Sequence, residues 1–248
     1  MAFEIYKNAP IKEAALDIRV RSASDLDIEK LSMAKDSNYL ELFRKPSKVQ
    51  VRVEANNETQ SASAAAENTL LGFAFRSEDQ KQIYQIRTDG FTHNRLAPYQ
   101  EWDVFAAEAR RLWNVYKNAL NPEFIELAGL NYVNEIPVPV GVDFSEYVKT
   151  YIEVPTGLPQ SLNTFNFGYQ LTIPEDGGFL FISQGYGPPK TEGFVNLILN
   201  IQTFKQLHLT ASETSSEELL WSTLEALRKA KSEAFEACIT DKVREMIR

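Results

Sequence analysis

The chain has 248 residues, of which 44% are hydrophobic and 24% are charged, so it can bury a sizeable core and is not expected to be disordered. Its formal net charge of -8 repels phosphate backbones and argues against broad nucleic-acid binding. Cys238 is the only cysteine, which excludes an internal disulfide and a metal site built from several cysteines, and suits a reducing compartment.

The chain start has neither the basic segment nor the apolar run of a secretory leader. No stretch approaches the roughly 20 apolar residues that span a bilayer. We therefore expect a cytoplasmic protein that does not enter a membrane.

A strand and a loosely helical segment open the chain. Residues 13–20 are rich in apolar side chains and predict a strand. Ser24 and Asp25 then supply the cap of one helix, or of two short helical pieces separated around residues 36–38. The apolar stripe of this helical segment consists of Leu26, Leu31, Ala34, Leu40, Leu42 and Phe43.

Three further strands are expected before the first long helix. Residues 48–54 alternate polar and β-branched side chains and predict a strand, whereas residues 55–69 lack large apolar side chains and predict a mobile loop. Residues 70–76 and 82–87 predict a hairpin. The Asp-Gly pair at 89–90 either ends the second strand of that hairpin or marks a bulge in a longer strand that continues to residue 94.

The strongest helical pattern begins at Trp102 and is predicted to run to about Leu120. Proline disfavours helix in the residue before it, so Asn121 and Pro122 end this helix. Its apolar face comprises Trp102, Phe105, Ala109, Leu112, Trp113 and Tyr116.

The second half predicts a similar series of elements. A long strand over residues 126–136 precedes a short helix over residues 144–152. A hairpin formed by residues 164–173 and 179–184 follows, and residues 194–204 add a further strand.

Two helices are expected to end the chain. Thr214 to Glu217 fit a capping box, and Thr240 is expected to cap a short terminal helix over residues 242–247, docked on this chain or on a second subunit. The shared apolar face of the longer helix comprises Leu220, Leu224, Leu227, Ala234 and Cys238.

The element order predicts an α+β fold made of two pseudo-repeats, each a strand, a helix, three strands and a helix. Residues 1–121 form the first repeat and residues 122–248 the second, packed as one globular unit. Two such antiparallel sheets, joined edge to edge with helices on one face, would resemble the saddle of TATA-binding-protein-like folds. The alternative is a helix-grip fold, in which a curved sheet wraps around the last helix.

No catalytic constellation, metal site or cofactor motif emerges from the sequence. The only histidines, His93 and His208, are far apart and lack cysteine or acidic neighbours at metal-ligand spacing. His93 is expected to be an exposed loop residue, although it could act alone as an acid or base. Gly185 and Gly187 precede two prolines that remove backbone donors, which favours a plain turn over a phosphate-binding loop.

Residues 89–102 are the best candidate for a site because they join the clearest strand to the first strong helix. Arg87, Arg95 and Tyr99 would present cationic and hydroxyl donors to an anion. Asp89 and Trp102 complete the candidate ligand-binding set. The alternative is structural, with Arg95 paired to Asp89 or capping neighbouring carbonyls.

The chain carries several short motifs: Asn8-Ala9-Pro10-Ile11, Asp89-Gly90-Phe91, Asn94-Arg95-Leu96, Pro98-Tyr99, Trp102 and residues 235–245. Together they resemble those of a sporadically distributed family of uncharacterised prokaryotic proteins of about 250 residues. The resemblance covers nearly the whole chain and implies no established activity. The patchy distribution of that family implies horizontally transferred cargo, such as toxin–antitoxin or phage-defence modules.

These observations favour a non-catalytic binding or interaction protein, an accessory or regulatory component of a defence-type module. Its expected partner is another protein or a second copy of the chain, with no membrane and no nucleic acid. The alternative function is a sensor of a small anionic ligand, or an enzyme with an unrecognised site.

Overall fold

The computed structural model describes most of the chain and defines eleven strands and four α-helices there. The described residues are 6–22, 28–32, 34–46, 50–56, 61–67, 70–99, 101–160, 162, 164–174, 177–187 and 192–248. The strands are β1 Ile11–Arg21, β2 Tyr39–Pro46, β3 Gln50–Asn56, β4 Ser61–Glu67, β5 Leu70–Ser77, β6 Gln82–Arg87, β7 Gly90–Leu96, β8 Phe124–Pro139, β9 Asn166–Ile173, β10 Gly178–Gly187 and β11 Phe194–Thr210. The helices are α1 Glu29–Ser32, α2 Trp102–Leu120, α3 Thr214–Cys238 and α4 Asp241–Ile247.

Nine of these strands form one antiparallel sheet in the order β2-β5-β6-β7-β1-β8-β11-β10-β9. The first strand of the chain therefore lies in the interior of the sheet, paired with β7 on one side and with β8 on the other. The predicted α+β class with a large antiparallel sheet is confirmed. The two pseudo-repeats, the saddle and the helix-grip alternative stay predictions.

One face of the sheet carries the core. In β1 the alternating residues Leu16 and Ile18 are fully buried and pack in the same cluster as α2 and the first half of α3. Asp17 and Arg19 lie on the opposite face. A second cluster joins the end of β8, β10 and β11 to the second half of α3 and to α4. The helices thus cover one face of the sheet along its length.

Helix α2 begins and ends as its sequence predicts. Its seven buried residues recur at helical spacing and pack on the sheet. Asn121 adopts a left-handed conformation, with φ 49°, and its backbone N–H donates to the carbonyl of Lys117. Pro122, which cannot continue the helix, follows immediately. Helix α3 also buries its predicted face, including Cys238.

The predicted helical stripe at the start of the chain is wrong from residue 39 onward. Among the described residues of this segment, only Glu29–Ser32 is α-helical, and Leu40, Leu42 and Phe43 belong to β2, which pairs with β5. A turn at residues 36–38 separates the two, because the Asp36 side chain and carbonyl accept from the N–H groups of Asn38 and Tyr39. The predicted cap at residues 24–25, and Leu26 with it, lies outside the described residues.

A predicted loop and a predicted short helix both adopt other structures. The loop expected over residues 55–69 contains β4, which pairs along its whole length with β3, because backbone hydrogen bonds need no large side chain. The helix expected over residues 144–152 is reduced to a 3-10 turn at Phe144–Glu146. Val148 then forms an isolated bridge with Ile239.

The Asp-Gly pair at 89–90 belongs to a tight hairpin turn. Arg87 faces Gly90, with Thr88 and Asp89 between them, so β7 runs back along β6. This reversal rules out a bulge in one long strand. It also places residues 91–96 in the interior of the sheet, beside β1.

The two predicted side-chain caps do not form. Helix α3 begins after Glu213, and no side chain caps its first turn, so the capping box at Thr214 is wrong. Thr240 does precede α4, but its hydroxyl donates to the backbone carbonyl of Glu146 instead of accepting from the helix. Helix α4 docks on its own chain, with Val243 and Ile247 buried in the second cluster.

Candidate ligand-binding cavity

The structure separates the five predicted site residues. Arg87 and Asp89 lie at the β6–β7 turn, where Arg87 alternates with the core residue Ile86 and therefore points to the sheet face opposite the helices. Tyr99 and Trp102 line a large cavity on the helix face. Arg95 lines a neighbouring, smaller cavity.

Arg87 is occupied by structural contacts. Its Nε donates to Asp89 Oδ1 at 2.9 Å, Nη1 donates to Thr92 Oγ1 at 2.7 Å, and Nη2 donates to Asp17 Oδ1 at 3.1 Å. The side chain is only 5% exposed. Arg87 therefore joins three strands of the sheet, and its three nitrogens are engaged before any ligand arrives.

Arg95 does not pair with Asp89. Its Nη1 lies 4.0 Å from Asp79 Oδ2, in the β5–β6 turn. Asp89 instead accepts from Arg87 and from Arg19. The predicted pairing of Arg95 with Asp89 is therefore wrong, and the capping of neighbouring carbonyls by Arg95 stays a prediction.

The large cavity has a volume of about 890 Å³ and lies where α2 begins, between β8, α3 and the segment that precedes β1. Its walls combine five aromatic side chains with polar groups that include four carboxylates and three cationic side chains. Its lining includes Tyr99, Trp102, Tyr132, Arg228, Lys231 and Phe235.

Two tyrosines, Tyr99 and Tyr132, contribute hydroxyl groups to the lining of this cavity. The hydroxyl oxygens of Tyr99 and Tyr132 are 3.1 Å apart, and the two rings meet edge to face at 5.6 Å between centroids. Burial raises the pKa of Tyr99 to about 12 and that of Tyr132 well above its usual value, so both hydroxyls keep their protons at neutral pH. Only one of the two protons is used between them, which leaves the other for a ligand acceptor.

Lys231 is the notable cation of the cavity. It projects from α3 so that its Nζ lies 4.0 Å from the centroid of the Tyr132 ring. Within the part of the chain that the structure describes, no carboxylate oxygen comes within 4.0 Å of this amine. Burial, and secondarily the charge of Arg228, lower the pKa of Lys231 to about 8. The face of the Tyr132 ring opposes this lowering of the pKa, because it stabilises the cation by about 0.5–2 kcal/mol.

The other charged groups of the cavity differ from Lys231 in being paired or open to water. Arg228 is 3.0 Å from Glu225, and Glu236 accepts from Tyr6 and from Arg244. The remaining acidic residues of the lining, at positions 101 and 103, are exposed at the start of α2, where water screens their charges.

The smaller cavity, of about 620 Å³, is less suited to an anion. Its Arg111 donates to Glu108 and to Asp36, and these bonds raise the pKa of Arg111. Tyr99 lines both cavities, so its ring forms part of the wall between them.

His93 is neither exposed nor in a loop, contrary to expectation. It lies in β7, fully buried, with Nε2 3.1 Å from Gln82 Oε1. Burial lowers its pKa to about 4, which keeps it neutral at physiological pH. Among the described residues, no group of three or more histidine, cysteine, aspartate or glutamate side chains is arranged to hold a metal ion.

Sequence reasoning missed Tyr132, Arg228 and Lys231. Lys231 did carry a signal, since it falls four residues after Leu227 and three before Ala234 on the otherwise apolar stripe of α3. A lone lysine on a buried stripe indicates either a long side chain that reaches solvent or a buried functional amine.

Comparison of the sequence with known protein families finds no matching family, and comparison with curated proteins finds no significant relative. No α-helix among the described residues is both long and apolar enough to cross a membrane.

Proposed function

We propose that this chain is a non-catalytic binding protein that holds a small organic anion in the cavity between α2, β8 and α3. The observation that carries the proposal is Lys231, whose amine lies in a large cavity with no carboxylate partner among the described residues. Lys231 is half-buried, and taking a cation even partly out of water without a counter-ion is costly, so a bound anion would offset that cost.

The surroundings of Lys231 favour a ligand with a flat apolar part. Trp102 is only 9% exposed and Phe235 half-buried, so both can pack against a ring or a short hydrocarbon chain. The unused hydroxyl proton of the Tyr99–Tyr132 pair offers a hydrogen bond beside the amine. A carboxylate on an aromatic or branched skeleton therefore fits the cavity best.

Thermal unfolding with a panel of aromatic and aliphatic carboxylates and phosphates tests the proposal. We expect at least one aromatic carboxylate to raise the Tm of the wild-type protein and to lose that effect in Lys231→Met. Lys81→Arg, in an exposed turn outside the cavity, is the matched control and should respond as the wild type does. Equal shifts in wild type and Lys231→Met would place the binding elsewhere and reject the proposal.

A protein–protein function is the second candidate, and the outer edge of β9 favours it. Within the described residues, β9 pairs only with β10, and residues 162–173 contain no charged side chain. Edge strands are usually protected by charges or prolines, so an uncharged edge suits pairing with another strand. The partner would be a second copy or another protein of a defence-type module, as the motif resemblance implies.

Light scattering after size-exclusion chromatography tests this second function. Leu171 is 49% exposed on β9, so Leu171→Lys adds a charge at the edge without disturbing the core. We expect Leu171→Lys to lower the mass of any oligomer, and Met246→Lys, at an exposed site on α4, to leave it unchanged. A wild-type protein that is monomeric and co-purifies with no partner would argue against the interaction.

We also propose that the chain arose by internal duplication and forms a saddle-like sheet in a cytoplasmic protein. The order β5-β6-β7-β1 in one half is mirrored by β9-β10-β11-β8 in the other, and β1 meets β8 at the junction. Each half also ends in a long helix, α2 or α3. This symmetry supports the duplication, and the single cysteine supports the reducing compartment.

A further inference from the structure

We propose that Lys231 captures the carbonyl carbon of an α-keto acid as an imine, so that the ligand of the cavity is held covalently and reversibly. This inference rests on the proposed binding of a small organic anion, and it names the chemical class of that anion. It differs from anion binding because it requires an amine that can lose its proton.

The position of Lys231 suits a nucleophilic amine. It lies on α3 between the buried residues Leu227 and Ala234, so its backbone is fixed by the core. Lys231 as a whole is half-buried, and its amine lies over the face of the Tyr132 ring. No acidic group among the described residues forms an ion pair that would hold this amine in its charged form.

The amine is available near neutral pH. With the pKa lowered to about 8, half of the Lys231 amines are unprotonated at that pH, against less than one in a hundred for an ordinary lysine. The charged and titratable groups around the cavity are Arg228, Lys229 and Glu225 on α3, Glu101 and Asp103 at the start of α2, Tyr99 before it, Tyr132 on β8, and Tyr6 and Glu236.

The capture reaction balances with groups that the cavity holds. The Nζ lone pair forms a bond to the carbonyl carbon, the carbonyl oxygen takes a proton, and Nζ loses one, which gives a carbinolamine. The oxygen then takes a second proton and leaves as water while the nitrogen lone pair forms the C=N bond of an iminium, which loses its remaining N–H proton to give the neutral imine. Amine and carbonyl thus become imine and water, with no oxidant or reductant.

Two neighbours suit an α-keto acid in particular. Arg228 lies one helical turn before Lys231 on the same cavity wall. Its Nη1 pairs with Glu225 at 3.0 Å, and its remaining N–H groups can meet a ligand carboxylate. The Tyr99–Tyr132 pair holds one proton with no acceptor among the described residues, and a hydroxyl in that position can donate to the carbonyl oxygen. A carboxylate adjacent to a ketone would engage both groups at once.

Borohydride trapping with phenylpyruvate tests the inference, since borohydride reduces an imine to a stable secondary amine. We expect mass spectrometry of the digested wild-type protein to locate the adduct at Lys231, far above the labelling of the exposed Lys81. Lys231→Arg keeps the positive charge but cannot form the imine, so its adduct should be lost at position 231. Phenyllactate, which has a hydroxyl in place of the ketone, should compete with the labelling without forming an adduct.

The outcomes separate the two proposals. If phenyllactate raises the Tm in a Lys231-dependent manner but phenylpyruvate leaves Lys231 unlabelled, the imine is rejected and the anion site stands. If Lys231 is labelled no faster than Lys81, the amine has no special reactivity and the inference is also rejected. If neither compound shifts the Tm and Lys231 stays unlabelled, the inference fails for this class, while the wider ligand panel decides the proposed function.

Discussion

The imidazole ring of His93 stacks on the phenyl ring of Phe105, with centroids 5.1 Å apart and an angle of 18° between the planes. This contact helps to bury His93 between β7 and α2. With its proton on Nε2, the neutral ring donates to Gln82 Oε1, and Nδ1 has no partner among the described residues. A protonated ring would leave a second buried N–H without an acceptor.

We therefore expect the protein to lose stability in mild acid because of His93. The folded pKa of about 4 lies below the ordinary value of 6.5, so the unfolded chain takes up the proton first as the pH falls. Stability from this group is complete above about pH 6.5 and is lost towards pH 4, by up to roughly 3 kcal/mol. Urea unfolding at a series of pH values measures this loss.

His93→Gln should flatten the pH dependence in that range, even if it lowers stability at neutral pH. His208 is exposed in β11, so His208→Gln is the matched control and should keep the wild-type profile. An unchanged profile in His93→Gln would assign the acid sensitivity to other groups.

Arg87→Met is expected to destabilise the fold by about 2 kcal/mol, because it removes a buried guanidinium that donates to two partly exposed carboxylates and to the Thr92 hydroxyl. Asp17 and Asp89 would keep their charges but lose their bonds to the buried guanidinium. Arg19 contacts the same two carboxylates from a side chain that is 43% exposed. Arg19→Met should therefore cost less than about 1 kcal/mol.

Denaturant unfolding of the two arginine variants, side by side, measures the difference. Ligand-induced Tm shifts should survive in Arg87→Met, since its cluster and the cavity lie on opposite faces of the sheet. If a well-folded Arg87→Met protein lost its ligand-induced Tm shift, Arg87 would have to be part of the binding site.

Gly72→Ala is expected to disturb the pairing of β5 with β6. A Cβ at Gly72 would lie 1.9 Å from the carbonyl oxygen of Ile86, a backbone atom that cannot move without breaking the strand pair. We expect a loss of at least about 2 kcal/mol. Gly157→Ala, where a Cβ meets nothing within 4 Å, should change the Tm little. Similar Tm values for the two variants would contradict this register.

Val243→Ala should destabilise the protein by roughly 2 kcal/mol, because it leaves a cavity where α4 packs on the second core cluster. Met246 is 41% exposed on the same helix, and Met246→Ala should be nearly neutral. Guanidinium unfolding of both variants measures the two changes in stability. If α4 were only loosely attached, Val243→Ala and Met246→Ala would change the stability equally.

The sequence predicted the long helices and most strands because their patterns were strong. Helix α2 combined a continuous apolar stripe with Asn121 and Pro122 at its end, so both ends were predictable. Leu40, Leu42 and Phe43 were misassigned because a short apolar run fits a strand as well as a helix, and the turn formed by the Asp36 side chain decides between them. Strand β4 gave no side-chain signal, since its pairing is made by the backbone.

The candidate site was predictable only in part. Residues 89–102 do contain three residues of the cavity, Tyr99, Glu101 and Trp102. Arg87 and Asp89 belong to the other face because the two-residue turn and the alternation of strand side chains fix their direction, which sequence proximity does not reveal. Lys231 is 132 positions away from Tyr99, and only the packing of α3 on β8 brings it to Tyr132.

The pairing of β1 with β8 has a consequence for synthesis of the chain. Five neighbouring strands of the sheet, β2, β5, β6, β7 and β1, all precede residue 97. They can therefore pair with one another before β8 is synthesised, while the other side of β1 is still unpaired. A nascent chain, or a fragment cut after residue 121, would expose that unpaired backbone together with Leu16 and Ile18, which β8 and α3 help to cover. Isolated first halves should therefore aggregate, and co-expressed second halves should rescue them.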